Sequence, residues 1–156
     1  MRYHTLFLAG FLFVPLAAQA QPACAPRVPA AKIDAAIAAA QATLPTPGTP
    51  VTALLHPGDH LGFALTPERK PAAGSHGGIF AFEAREGGAW RVSINSRAWV
   101  DVVQGGKLVA STAHGHPEAC GFFTKQVEFT LPPGRTLIQI SSNPEPTVAI
   151  MVEKTP

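Results

Sequence analysis

From Val51 onward the chain alternates apolar and polar residues in short runs broken by Gly, Pro, Asn and Ser, the period-two pattern of half-buried β-strands. Ile79–Ala84 places Phe80 and Phe82 on one face, and after Glu86-Gly87-Gly88 the residues Trp90, Val92 and Ile94 alternate with Arg91, Ser93 and Asn95. These two runs predict a hairpin. Ala98–Gln104 sets Val100 and Val102 on one face and Trp99, Asp101 and Val103 on the other; the turn Gln104-Gly105-Gly106-Lys107 leads into a returning strand, Lys107–Thr112. Thr124–Leu131 points Val127, Phe129 and Leu131 inward, and Pro132-Pro133-Gly134-Arg135 turns the chain into Leu137–Ser141. Thr147–Glu153 follows with Val148, Ile150 and Val152. With a further run at Leu61–Leu65 the chain holds about eight strands, with turn signals at the spacing of an antiparallel β-sandwich. The expected fold is mainly β, a jelly-roll-like sandwich over residues 51–156.

Upstream of Val51 the period becomes helical. Val28–Thr43 is rich in alanine, carries Pro29 in its first turn, and spaces Ile33, Ile37 and Leu44 by four and seven, which predicts one amphipathic helix. Pro45-Thr46-Pro47-Gly48-Thr49-Pro50 ends it as a rigid linker, so residues 21–50 form an N-terminal segment. Ahead of it, Arg2, the apolar run Leu6–Ala18 and the small-x-small site Ala18-Gln19-Ala20 have the layout of a secretory signal peptide over residues 1–20. The apolar run falls short of the ~20 residues that span a bilayer. A lipid anchor on Cys24 is disfavoured because no Leu stands three positions before it. The expected location is periplasmic or secreted, with no membrane insertion once the leader is removed.

Export changes the reading of charge and cysteine. Without residues 1–20 only Arg2 is lost among the charges, leaving 11 basic against 10 acidic residues, a balance that offers nothing to nucleic acid. Cys24 and Cys120 are the only cysteines, and in an oxidising compartment such a pair predicts a disulfide. It would staple the N-terminal segment to Ala110–Phe123, a stretch expected to form a loop.

That stretch holds His114-Gly115-His116. On an extended chain the two imidazoles point the same way and can reach one copper, zinc or iron ion. A metal site wants three or four ligands, so others must come from His56, His60, His76, Asp101 or Glu118; solvated loop histidines are the alternative. The first cupin motif has a similar His-x-His, but it wants a Glu further on than Glu118, and the turn after Leu131 is followed by Arg135-Thr136-Leu137-Ile138 with no further His. Blue-copper spacing is absent too, since Gly121-Phe122-Phe123-Thr124 follows Cys120. Ser75 and His76 are adjacent and face opposite ways, so they form no catalytic dyad unaided. Trp99 and Asp101 share a face and make a candidate ligand-binding or sugar-binding platform; the alternative is that Trp99 packs and Asp101 bonds a loop.

From Gly77 to the C-terminus, the residues GGIFAFEA, AWRVSINSRAWVDVV, HGHPEAC and VEFTLPPGRTLIQIS resemble a family of small exported bacterial proteins that often carry the name homogentisate 1,2-dioxygenase. That name implies an iron-dependent dioxygenase. More loosely, the strand order and the Leu-Pro-Pro-Gly-Arg-Thr-Leu turn are similar to the bacterial pre-peptidase C-terminal domain, a jelly-roll accessory module of secreted enzymes, which implies a non-catalytic role. The expectations are therefore a binding module with a metal site at His114 and His116, a metal-dependent dioxygenase, or a module using Trp99 to hold carbohydrate or another envelope component.

Overall fold

The computed structural model describes residues 29, 31–43, 46–116 and 121–156. Among the described residues eleven strands run in chain order: β1 Lys32–Asp34, β2 Val51–Leu54, β3 His56–Pro57, β4 His76–Ala84, β5 Gly88–Ile94, β6 Trp99–Gln104, β7 Lys107–Val109, β8 Ser111–Gly115, β9 Lys125–Leu131, β10 Gly134–Asn143 and β11 Thr147–Lys154. They form a six-stranded sheet, β1-β2-β11-β5-β9-β8, and a five-stranded sheet, β3-β4-β10-β6-β7. All pairings are antiparallel except β1 with β2. The two sheets share one apolar core. Phe80, Val102, Ile138 and Ile140 enter it from the smaller sheet and Val92, Ile94, Val127, Leu131 and Ile150 from the larger.

Only Leu55 separates β2 from β3, and only Ala110 separates β7 from β8, yet each pair straddles the two sheets. A single residue at each lateral edge therefore hands the chain from one sheet to the other, as strands do at the corners of closed two-sheet structures.

The alternating runs at Phe80–Phe82 and Trp90–Ile94 are strands, but they are not a hairpin. β4 pairs with β10 and β3, whereas β5 pairs with β9 and β11 in the other sheet. The Glu86-Gly87 connection is an arch over the core: Phe82 and Trp90 meet with ring centroids 5.1 Å apart, and the Trp90 indole N–H donates to the Glu86 carbonyl at 3.2 Å. The β6–β7 hairpin does form. Its turn places Gly105 and Gly106 at φ of 57° and 74°, the left-handed values that glycine adopts without strain.

The helix expected over Val28–Thr43 is also corrected. Its described residues form β1, isolated bridges from Ala36 to Ile79 and from Ala38 to Gly62, and a single 3-10 turn, Ala39–Gln41. Ile33 and Ala35, two apart, face the core, while Ile37 is 43% exposed. Alanine's helical preference is worth only a few tenths of a kcal/mol per residue. Here its small side chain does something a larger one cannot: Ala35 lies directly against Gly78, where a β-carbon would come within 2.3 Å of the Ala35 Cβ. The segment's backbone bonds then go to Leu54, Ile79 and Gly62. Leu61–Leu65 is likewise no strand beyond the Gly62 bridge. The Gln139 side chain replaces a strand partner there, accepting from Leu65 N and donating to Leu65 O, both at 3.1 Å.

These two segments cover the outer face of the smaller sheet, where Ile79 and Ala81 build a second cluster with Ala42, Phe63 and Leu137. The covering leaves Trp99 and Asp101 at its border.

Candidate functional site

At the β7–β8 corner the smaller sheet is incompletely edged. β7 covers only Val102–Gln104 of β6, so Trp99–Asp101 runs on without a neighbour from that strand. Across the gap stand β8 and the start of β9. A slot of about 170 Å³ opens there, with Val100, Val109, Val127 and Phe129 as apolar wall and Trp99, Asp101 and Lys125 at its polar mouth.

Lys125 belongs to the inward-facing register of Val127, Phe129 and Leu131, all buried. A lysine in that register has to find a partner at the edge. Its Nζ crosses to the other sheet, donates to the Ala98 carbonyl at 2.7 Å, and stands 5.4 Å from the centroid of the Trp99 ring. Burial, and then the nearby Arg69 charge, pull the Lys125 pKa below the ordinary lysine value. Arg69 Cζ is itself 5.7 Å from the Trp99 centroid. A sugar stacking on this indole would therefore have to share or displace cations.

Asp101 is 4% exposed and accepts twice, from Trp99 Nε1 at 2.9 Å and from the Glu68 amide at 3.3 Å. It thus orients the indole and ties down the loop over the outer face. Burial raises its pKa above the ordinary aspartate value, against the two hydrogen bonds, which lower it. Asp101→Ala strands two donors and is expected to cost about 1–3 kcal/mol. The pH dependence has a definite sign. With the folded pKa raised, the folded state holds the extra proton, so the carboxyl's contribution to stability is greatest in acid and falls as the pH rises from about 4 through the raised value. Asp101→Asn does not titrate, and its stability relative to wild type should rise as the pH is raised upward from about 4, the ordinary aspartate value, read from urea unfolding at stepped pH.

His114 lies in β8, opposite Val127 in the ladder, and residues directly opposed share a face. The stretch expected to be a loop is thus an edge strand as far as Gly115, which sets His116 on the same side as His114. His114 Nε2 shares a hydrogen bond with Ser111 Oγ at 2.9 Å, and His116 Nδ1 donates to the Thr124 carbonyl at 3.1 Å. Among the described residues His116 Nε2 has no partner. Both imidazoles line a cleft of about 550 Å³ with Ser96, Arg97, Thr124 and Lys125; its described lining has two fixed cations and no carboxylate. Slot and cleft adjoin, sharing His114 and Lys125.

The other candidate histidines lie along β3 and the start of β4. His56 Nε2 donates to the Ala35 carbonyl at 2.8 Å, His60 is exposed in the 3-10 turn Gly58–His60, and His76 pairs with Pro57 and Asn143 in the ladders. Among the described residues no three His, Cys, Asp or Glu side chains are grouped to hold a metal ion. Cys24, Glu118, Cys120 and the leader lie outside the described residues.

Arg69, Arg97 and Lys125 border the site without belonging to any recognisable motif. For Lys125 a signal exists in the sequence, a cation in phase with three core residues; Arg69 and Arg97 stand in connecting segments and carry none. Compared with protein-family models and with curated proteins, the chain matches none.

Proposed function

We propose that this protein is an exported, non-catalytic binding module, a jelly-roll-like β-sandwich whose ligand seat is the β7–β8 corner. The observation that carries this reading is Lys125, a partly desolvated cation held by the Ala98 carbonyl at the junction of slot and cleft. Groups that face solvent yet are already oriented by their own hydrogen bonds lose little freedom when a ligand arrives. His114 and His116 are oriented in the same way, and buried Asp101 fixes the Trp99 ring. In this reading Cys24 and Cys120, both outside the described residues, pair as the disulfide expected of an exported chain, and the partner is a small solute or envelope component.

A second reading, a copper, zinc or iron site on His114 and His116, draws on the His116 Nδ1 bond, which points the other ring nitrogen outward as metal-binding histidines require. A third ligand would have to come from beyond the described residues, and Arg97 and Lys125 in the same cleft repel a cation. The dioxygenase reading shares both difficulties.

The test is an amide-shift titration of the mature protein with three probes in turn: zinc chloride, maltotriose and sodium pentanoate. Shifts confined to Trp99, Ser111–His116 and Lys125 with at least one probe are expected. Shifts with none, or only elsewhere, remove the corner as the seat. A parallel assay with ferrous iron and homogentisate should show no sustained oxygen uptake; uptake lost on replacing His114 and His116 by alanine would make the protein an enzyme.

A further inference from the structure

We infer that the corner takes an amphiphilic organic anion, its carboxylate-like head in the cleft between Arg97 and Lys125 and a short apolar tail in the slot; this rests on the corner being the ligand seat.

The head group follows from charge. Arg91 is paired with Glu128 and Glu153, and Lys154 with Glu86, but among the described residues neither Arg97 nor Lys125 has a carboxylate within 4.0 Å. Lys125 spends one N–H on Ala98, which leaves two for an incoming oxygen. Arg97 is exposed, free to swing its planar fork onto the same head group. Ser96 Oγ already accepts from the Ala98 amide at 3.2 Å, so its own O–H is available as a further donor. Three kinds of donor thus line a cleft whose described residues supply no negative charge. Among the described residues the nearby carboxyls, Asp101 and Glu68, line the slot and not the cleft, and both oxygens of Asp101 are engaged.

The tail follows from shape. Val100, Val109, Val127 and Phe129 wall a space of about 170 Å³, close to the size of an apolar cavity that admits one benzene ring. A short alkyl chain or a single ring fits; a long acyl chain does not. Because His114 and Lys125 border both spaces, one small molecule can occupy both at once.

The experiment is calorimetric titration of the mature protein with sodium pentanoate, phenylacetate, acetate, inorganic phosphate and 1-pentanol, repeated at two salt concentrations. Pentanoate and phenylacetate should bind about tenfold or more tightly than acetate, phosphate or pentanol, and more weakly at high salt. Arg97→Gln, at an exposed position, should weaken pentanoate by about fivefold to tenfold, as should Lys125→Met, which keeps the aliphatic stem. Val109→Phe, filling the slot, should bring pentanoate down to the level of acetate while leaving acetate unchanged. Equal binding of pentanol and pentanoate would overturn the anionic head, and equal binding of acetate and pentanoate the tail. Binding of maltotriose at the corner, with no anion bound, would keep the module and discard this ligand class. No shift at the corner with any probe removes the seat itself.

Discussion

Replacing Phe80 by alanine should cost about 3–5 kcal/mol, a large part of the roughly 5–15 kcal/mol that holds a domain of this size together. Phe80 is fully buried, enters the shared core from the central part of β4, and has no polar group through which water could compensate the void. Beside Phe80, β4 is bonded to β10 along one side and bridged at Ile79 to Ala36 on the other, so the cavity cannot collapse without disturbing these backbone hydrogen bonds. Thermal and urea unfolding of the variant against wild type measures the loss. Ile37→Ala, at a 43%-exposed position, serves as the comparison and should stay within about 0.5 kcal/mol. A Phe80→Ala protein as stable as wild type would mean that the two sheets do not close on this ring.

Gly77→Ala should be nearly as damaging, through excess volume. A β-carbon at Gly77 would stand 2.3 Å from the Ile140 carbonyl oxygen and 2.8 Å from Leu61 Cδ1. The leucine can turn aside, but the carbonyl belongs to β10, which is held between β4 and β6. Relief therefore requires the β4–β10 ladder to part, at about 3 kcal/mol, or a midpoint lower by about 10 °C. Gly87→Ala in the arch is the control, since its β-carbon would find the nearest atom at an ordinary 3.5 Å. An unchanged melting temperature for Gly77→Ala, with Gly87→Ala also unchanged, would show the two strands to be further apart than described here.

Strands such as β5 and β9 are legible from alternation because one face lies in the core and a shift by one residue would expose it, whereas β8, exposed along its length, has no such pattern and reads as a loop. The turn at Gly87 reads as a hairpin for a local reason. An arch and a hairpin ask the same of their strands, inward apolar residues on either side of a glycine turn. What separates them is the partner strand. β4 takes β10 and β5 takes β9 and β11, and these ladders lie far along the chain. The Ala-rich segment reads as a helix because helix propensity is a small term summed locally, whereas a bed of glycine and small residues in β4 gives the same backbone a better set of partners.

The site divides in the same way. That Trp99 and Asp101 share a face, that His114 and His116 share a face, and that Lys125 stands in phase with Val127 and Phe129 are consequences of period two and were contained in the sequence. That these groups meet was not. Their meeting depends on one residue, Ala110, where the chain leaves one sheet and enters the other, and on β7 ending short of Asp101. Alternation reports which side of its own strand a residue occupies, because that is set by the backbone a few bonds away. Which two strands lie across the core from each other is settled by the packing of whole faces, a non-local balance that only the tertiary structure decides.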